Sequence, residues 1–157
     1  MQTDVFEWLE ASRLAVFIRQ APLLFPIIEI VHIIGFVFLV GSAFIFDMRL
    51  LDLSKRLAVK DVAGYVLPWS RRSMLLVVPS GLLLFISQAT ALSTNDIFGY
   101  KLILIAAAIV NAVIFHRYTL ARCEQGASTP PAAKAAAVIS LLLWTSVITC
   151  GRLIAYF

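Results

Sequence analysis

The chain has 157 residues, of which 61% are hydrophobic and only 14% charged, and its mean hydropathy is +0.93. This composition excludes an ordinary soluble domain and predicts a protein that contacts a lipid bilayer. The 13 Lys and Arg residues exceed the 9 Asp and Glu residues, but they are placed by membrane topology, so we expect no nucleic-acid partner.

Residues 1–21 are predicted to form one amphipathic helix on the outer surface of the membrane. Its apolar residues include Val5, Phe6, Trp8, Leu9 and Phe17, and its charged residues are Asp4, Glu7, Glu10, Arg13 and Arg19. Alternation of this kind is typical of an interfacial segment rather than of an additional span.

Four apolar runs follow, each long enough to cross about 30 Å of hydrocarbon as a helix. They comprise residues 23–46, 73–92, 100–120 and 135–157. The alternating pattern of a membrane β-barrel is absent. The chain is therefore predicted to be an all-α integral membrane protein, a four-helix bundle in a single domain, with the amphipathic helix at its N-terminus.

The segment between the first two spans, residues 50–72, is polar and basic with apolar residues interspersed. It is expected to form a short helix at the lipid headgroups that ends at Pro68 and Trp69. Pro79 is expected to kink the second span, because proline removes one backbone hydrogen bond.

The basic residues are unevenly distributed between the two sides of this bundle. One side holds nine of them, Arg49, Lys55, Arg56, Lys60, Arg71, Arg72, Arg117, Arg122 and Lys134, and the other side holds four, Arg13, Arg19, Lys101 and Arg152. The positive-inside rule therefore predicts that both termini lie outside, in the periplasm if the membrane is a bacterial inner membrane. Cys123 and Cys150 fall at opposite ends of their spans, too far apart for a disulfide.

Two ionisable residues, Glu29 and His32, lie within the first apolar run. Ionisable groups in a bilayer are costly and usually face a protein interior or a cofactor. A neutral imidazole suits haem iron or copper, so His32 is the first candidate metal ligand, the alternative being a core histidine bonded to a neighbouring helix. Glu29, one turn away, is a candidate to fix the imidazole tautomer, carry a proton or ligate the metal. The absence of Glu from the other spans argues against a di-iron site.

His116, in the third span, is the only other histidine. Two histidines on different spans would form a bis-imidazole haem site. Counted from the span ends, however, His32 and His116 differ in depth by about 9 Å. Either helix tilt absorbs this offset, or the two histidines serve different sites, with Met74 as a candidate partner of His116.

Lys101, Arg152 and Gln88 lie near the outer ends of their spans, at the level of Glu29. Together these residues predict a net-positive pocket that suits a haem propionate or a quinone-like carbonyl. Snorkelling to the interface explains Lys101 equally well. Asp47 and Arg49, at the inner end of the first span, are expected to form a structural pair or a helix end.

The pattern His32-Ile33-Ile34-Gly35, then Gly41, then Arg49-Leu50 resembles the first span of the HemJ-type protoporphyrinogen oxidases and CopD-like membrane proteins. Lys101-Leu102, followed by His116 and Arg122, resembles their third span. The resemblance implies a four-helix membrane bundle that binds haem b, with His32, Lys101 and His116 as the corresponding residues.

The chain also departs from that pattern. HemJ-type sequences usually carry a Lys at the position of Glu29, and often an aromatic residue or histidine paired with the third-span histidine, where this chain has Phe115. The C-terminal segment 151–156 is more similar to a group of small bacterial membrane proteins without assigned function. The porphyrinogen-oxidising activity is therefore not carried over.

Three functional hypotheses follow. The first is a membrane redox protein that holds a b-type haem and exchanges electrons with a quinol or a periplasmic partner, with His32 and His116 as ligands, Glu29 as a proton relay, and Lys101 and Arg152 on the propionates. The second is a non-catalytic anchor or assembly subunit, in a homo- or hetero-oligomer. The third is copper handling, which clustered Met or Cys residues would support, whereas the three Met and two Cys are scattered.

Overall fold

The structure, a computed structural model, describes residues 2–53, 57–125 and 129–156. These ranges form eight α-helices: α1 Gln2–Glu10, α2 Arg13–Gln20, α3 Leu24–Leu50, α4 Val59–Ser87, α5 Ala89–Ser93, α6 Asp96–Tyr118, α7 Leu120–Gln125 and α8 Pro131–Leu153. Lys55 and Arg56 of the predicted basic loop, and Phe157 at the predicted end of the fourth span, lie outside the described residues.

Four of the helices, α3, α4, α6 and α8, are long and apolar enough to cross a membrane. Much of their apolar surface is exposed, for example Ile30, Ile33 and Val37 on α3. Such a surface is compatible with lipid and not with water. The predicted all-α fold with four membrane helices is thus confirmed, and the chain is a multi-pass membrane protein.

The four long helices pack as two pairs, α3 with α4 and α6 with α8, and α3 also contacts α8. We call the end of the bundle that contains Leu24, Ser87, Asp96 and Leu153 the terminal end, and the opposite end the loop end. The buried hydrophobic cluster lies at the loop end, where Phe46 of α3 packs edge-on against Phe115 of α6, with 5.6 Å between the ring centroids. All four long helices contribute side chains to this cluster.

The second membrane helix differs from its predicted bounds of 73–92, because α4 begins at Val59 and ends at Ser87. The prediction that a helix would end at Pro68 and Trp69 is wrong. Val59, Val62 and Val66 recur at helical spacing and are buried in the cluster at the loop end, and this burial continues the helix through Pro68. Because Pro68 has no N–H, it leaves the Gly64 carbonyl without its helical donor, but Gly64 is exposed, so this loss is tolerated.

The N-terminal segment is also divided, since the single helix predicted for residues 1–21 is two helices, α1 and α2. Ser12 separates them: its side chain accepts a hydrogen bond of 3.3 Å from the backbone N–H of Ala15 and so caps the start of α2. Ala15 and Ile18 of α2 are buried. The amphipathic segment therefore packs onto the bundle with one face.

Two side chains attach this segment to the terminal end. Arg19 donates a hydrogen bond of 2.9 Å to the Ser87 carbonyl, which ends α4, and another of 2.8 Å to the Glu10 carbonyl. The Glu10 carboxylate accepts a hydrogen bond of 2.9 Å from the backbone N–H of Thr90 at the start of α5. Hydrogen bonds from Thr90, assisted by the charge of Arg19, hold the pKa of Glu10 below its usual value.

This carboxylate makes the attachment of α1 sensitive to pH. Because the pKa of Glu10 is lowered in the folded protein, its contribution to attachment is complete above the usual carboxyl range and is lost as the pH falls through the lowered value. After correction for the intrinsic pH dependence of amide exchange, we expect acidification to increase hydrogen–deuterium exchange at the Thr90 amide in the wild type, and Glu10→Gln to remove this acid-dependent increase. Glu7→Gln, one turn earlier on α1, is the control and should exchange as the wild type does. An acid-dependent increase that persists in Glu10→Gln would contradict this assignment.

Candidate functional site

His32 is a half-buried residue of α3 whose imidazole is held by α4. Its Nδ1 lies 3.1 Å from the carbonyl oxygen of Val77 and 3.0 Å from the hydroxyl oxygen of Ser80. Ser80 in turn donates its own hydroxyl proton to the carbonyl of Leu76, one turn back on α4. Both contacts of the imidazole are therefore made by its Nδ1 with a single turn of α4.

These contacts determine which ring nitrogen carries the proton. A backbone carbonyl only accepts hydrogen bonds, so Nδ1 must be the protonated nitrogen, sharing its hydrogen between Val77 and Ser80. In the neutral imidazole the lone pair then belongs to Nε2. Within the described part of the chain Nε2 has no hydrogen-bond partner. The site thus presents an oriented imidazole nitrogen that can ligate a metal or accept a proton.

Two glycines allow α3 and α4 to approach this closely. A Cβ atom at Gly81 would lie 3.0 Å from Cε1 of His32. A Cβ atom at Gly35, one turn after His32, would lie 2.9 Å from both Cβ of Leu76 and Cγ2 of Val77. Because the helices are in direct contact here, a flat macrocycle has no room between α3 and α4. A group bound by His32 must lie on the side of the imidazole that faces away from this contact.

Lys101 is the charged residue whose field reaches His32. It lies on the second turn of α6, partly buried, and its Nζ would be 3.6 Å from a Cβ atom at Gly151 of α8. Lys101 therefore lies against α8 at Gly151, at a distance that a Cβ atom there would meet as an ordinary van der Waals contact. One polar region in the terminal half of the bundle therefore contains a residue from each of the four membrane helices: His32, Ser80, Lys101 and Gly151.

Glu29 does not join this region, so its predicted pairing with His32 is not formed. It is exposed on α3, and it makes no hydrogen bond or ion pair with another described residue. Residues three apart on a helix differ by about 60° around its axis. That difference is enough for His32 to face α4 while Glu29 faces outward. The Val77 carbonyl takes the orienting role that was predicted for Glu29.

His116 is also separate from His32. Its side chain is exposed, and its Nδ1 lies 2.7 Å from the Ala112 carbonyl of its own helix. Its neighbour Phe115 packs on Phe46, which lies about 21 Å further along α3 than His32. The two histidines therefore occupy opposite halves of the bundle, and His116 does not complete a bis-imidazole site with His32.

Arg152 lies at the terminal end but is engaged elsewhere. Its guanidinium donates a hydrogen bond of 2.8 Å to the Tyr156 hydroxyl and lies 5.1 Å from the centroid of the Tyr156 ring. The side chain is exposed, as is that of Gln88. Of the five predicted site residues, the structure brings together His32 and Lys101, but not Glu29, His116 or Arg152.

Sequence reasoning did not identify the residues that orient His32. The Pro79-Ser80-Gly81 triplet predicted a kink in the second span. A small hydroxyl residue and a glycine on consecutive positions of an apolar helix are also a signal for close helix packing with a polar contact. The role of Val77 could not be predicted from its residue type, because it contributes only its backbone carbonyl.

The donor chemistry of this site fits a haem more closely than a metal bound by protein ligands alone. Among the described residues there is no group of three or more His, Cys, Asp and Glu side chains that could hold a metal ion. A haem iron needs only an axial ligand from the protein, and an imidazole whose Nδ1 donates to a backbone carbonyl is well oriented for this role. His32 meets that requirement, and Lys101 is a cation suited to a carboxylate substituent.

Comparison with curated proteins and with solved structures finds no match in either set. Comparison with protein families finds one model, which matches residues 5–157 and thus spans the amphipathic segment and all four membrane helices. The chain therefore belongs to DUF6644, a family of unknown function.

Proposed function

We propose that this protein is a small membrane electron-transfer protein that binds a b-type haem through Nε2 of His32. The observation that carries the proposal is the pair of contacts from Nδ1 of His32 to Val77 and Ser80, at 3.1 and 3.0 Å. They leave Nε2 as the unprotonated nitrogen of an imidazole inside a membrane bundle. Orientation of this kind is typical of histidines that ligate a metal.

Each residue of the site then has a separate task. His32 would supply a nitrogen that holds the iron, and Ser80 with the Val77 carbonyl would keep its ring from rotating. Lys101 would supply a positive charge for an anionic substituent, and its ammonium group lies against Gly151 of α8. When bound, haem would supply one-electron redox chemistry that the side chains themselves lack. Because the described residues offer no second histidine at this level, we propose a single protein imidazole at the iron.

The electron partners are proposed from topology. In the sequence, basic residues are more numerous toward the loop end than at the terminal end, which favours a cytoplasmic loop end and periplasmic termini in a bacterial inner membrane. The region around His32 would then lie in the periplasmic half of the membrane. A quinol in the membrane or a periplasmic redox protein is the partner that this position suits.

The second candidate function is that of a non-catalytic anchor or assembly subunit. The same hydrogen bonds of His32 favour it if their role is structural. An imidazole that bridges α3 to Val77 and Ser80 of α4 stabilises helix packing without any cofactor. In that case the exposed apolar faces and Glu29 would contact partner chains. No comparable observation in the described residues favours copper handling.

The absorption spectrum of the purified protein separates the two candidates. If the protein is a haem-binding electron-transfer protein, then after expression with an adequate haem supply it should show a Soret band. Reduction with dithionite should change its absorption spectrum. An anchor predicts a protein without visible absorbance that co-purifies with a partner. A haem-free wild-type protein that remains haem-free when haemin is added would overturn the proposal.

A further inference from the structure

Asp47 is a buried acidic residue at the loop end that the proposed haem site does not use. Its side chain has a relative exposure of 6%, and it lies on α3 between the buried residues Phe46 and Leu50. Ser140 of α8 is its side-chain hydrogen-bond partner. The Oδ2 atom is buried and has no hydrogen-bond partner. One oxygen of this carboxyl group is therefore left unsatisfied inside the protein.

Among the described residues no cation pairs with Asp47, and the predicted pair with Arg49 is not formed. Arg49 turns away to Asp52, at 3.5 Å, and to the Leu57 carbonyl. Lys134, the nearby cation of α8, also pairs with Asp52, at 2.6 Å. Asp52 follows the end of α3, where the chain leaves the bundle, and forms ion pairs with both Arg49 and Lys134 there.

The other described ionisable groups of the helices around Asp47 are directed away as well. Lys60 and Asp61 of α4 and Arg122 of α7 are exposed. On α6, His116 turns back to the Ala112 carbonyl and Arg117 is exposed. On α4, Arg71 is exposed and Arg72 lies over the ring of Trp69 at 5.8 Å. Asp47 thus has no ion-pair partner in any described element packed around it.

A carboxylate left ionised under these conditions is very costly, because burial removes its water and the Ser140 hydroxyl replaces only part of the lost solvation. The cost disappears if the group binds a positive charge. A metal ion such as Ca²⁺ takes six or more oxygen ligands, whereas the described neighbours offer the Asp47 carboxyl and the Ser140 hydroxyl. A proton needs only the carboxyl itself.

We infer that Asp47 is a proton-binding site: the folded protein holds it as a neutral carboxylic acid under conditions in which solvent-exposed carboxylates are ionised. Asp47 lies three residues before the end of α3, about 5 Å along the helix axis, so the proton is exchanged with the medium at the loop end. His32 is about 22 Å away along the same helix. The inference is therefore independent of the haem proposal.

Infrared difference spectroscopy of the full-length protein in lipid tests this inference. A protonated carboxylic acid has a carbonyl band that is separate from the amide and carboxylate bands. We expect this band in the wild type at neutral pH, its disappearance at alkaline pH, and its absence from Asp47→Asn. Asparagine has nearly the same shape as the neutral acid, so we expect this variant to fold. Glu29→Gln, which changes the other carboxyl group of α3 outside the buried region, should retain the band.

The outcomes distinguish the alternatives. Absence of the band at neutral pH, or its persistence in Asp47→Asn, would overturn the inference. Loss of the band on addition of sodium chloride, with potassium chloride as the control, would show that a metal cation rather than a proton occupies the site and would also overturn it. Ser140→Ala keeps the carboxyl group and should shift the frequency of the band without removing it. None of these results depends on haem.

Discussion

Gly35→Ala is expected to destabilise the protein by about 1–3 kcal/mol, the usual cost of forcing extra atoms into a packed interface. The new methyl group would lie 2.9 Å from Cβ of Leu76 and 3.2 Å from the backbone nitrogen of Val77. Neither atom can rotate away, because a backbone atom and a Cβ atom move only with their helix. The substitution must therefore push α3 and α4 apart, and the bond from His32 to the Val77 carbonyl would weaken with it.

Gly41→Ala provides the matched control. It lies six residues further along the same helix, and a Cβ atom there would meet nothing within 4 Å. Because alanine favours helices more than glycine does, this variant should be as stable as the wild type or slightly more stable. Unfolding in a mixed detergent, monitored by circular dichroism, measures both variants. Equal stability of Gly35→Ala and Gly41→Ala would show that α3 and α4 are not in the close contact described here.

His32→Ala is expected to lower the haem content of the purified protein by about tenfold or more, since it removes the proposed axial nitrogen. His116→Ala should retain the haem content of the wild type. Its imidazole is exposed, lies in the other half of the bundle and is hydrogen-bonded to the Ala112 carbonyl of its own helix. Comparison of these two variants distinguishes a site in which His32 is the one protein ligand from the two-histidine site that the sequence suggested.

The ratio of haem to protein, measured as the pyridine haemochrome, gives the result. Helical circular dichroism and a single elution peak establish that each variant is folded. Loss of haem in His116→Ala, or its retention in folded His32→Ala, would contradict the assignment. Equal loss in both would indicate a bis-imidazole site, for which the two histidines would have to lie at the same level.

The four membrane helices were predictable because each depends on a local property, a long apolar run. Their ends were less predictable where packing determines them. Pro68 indicated the end of a helix, yet α4 continues through it because Val62 and Val66 are buried at the loop end. The segment before α3 has a continuous amphipathic pattern, so its division into α1 and α2 was not evident. The division depends on the Ser12 hydroxyl group, which caps α2.

The candidate site was predictable only as far as residue type allowed. His32 and Lys101 were identified because ionisable residues are rare in apolar runs. Their neighbours were not, since the Val77 carbonyl is a backbone group and Gly81 matters for the close approach of α4 to the His32 ring. Glu29 was assigned to His32 by spacing, but spacing does not determine which way each side chain faces. The burial of Asp47 depends on how α3 and α8 pack, and the sequence favoured a pair with Arg49 instead.

The most direct test of the central claim, that His32 presents Nε2 as a free nitrogen, is the tautomer of its imidazole. The chain has only two histidines, so protein labelled with ¹⁵N-histidine gives few signals, and His116→Ala identifies those of His32. In haem-free protein with a neutral imidazole, nitrogen NMR should show a protonated Nδ1 and an unprotonated Nε2. A protonated Nε2 with an unprotonated Nδ1 would contradict the contact with the Val77 carbonyl and, with it, the proposed ligand.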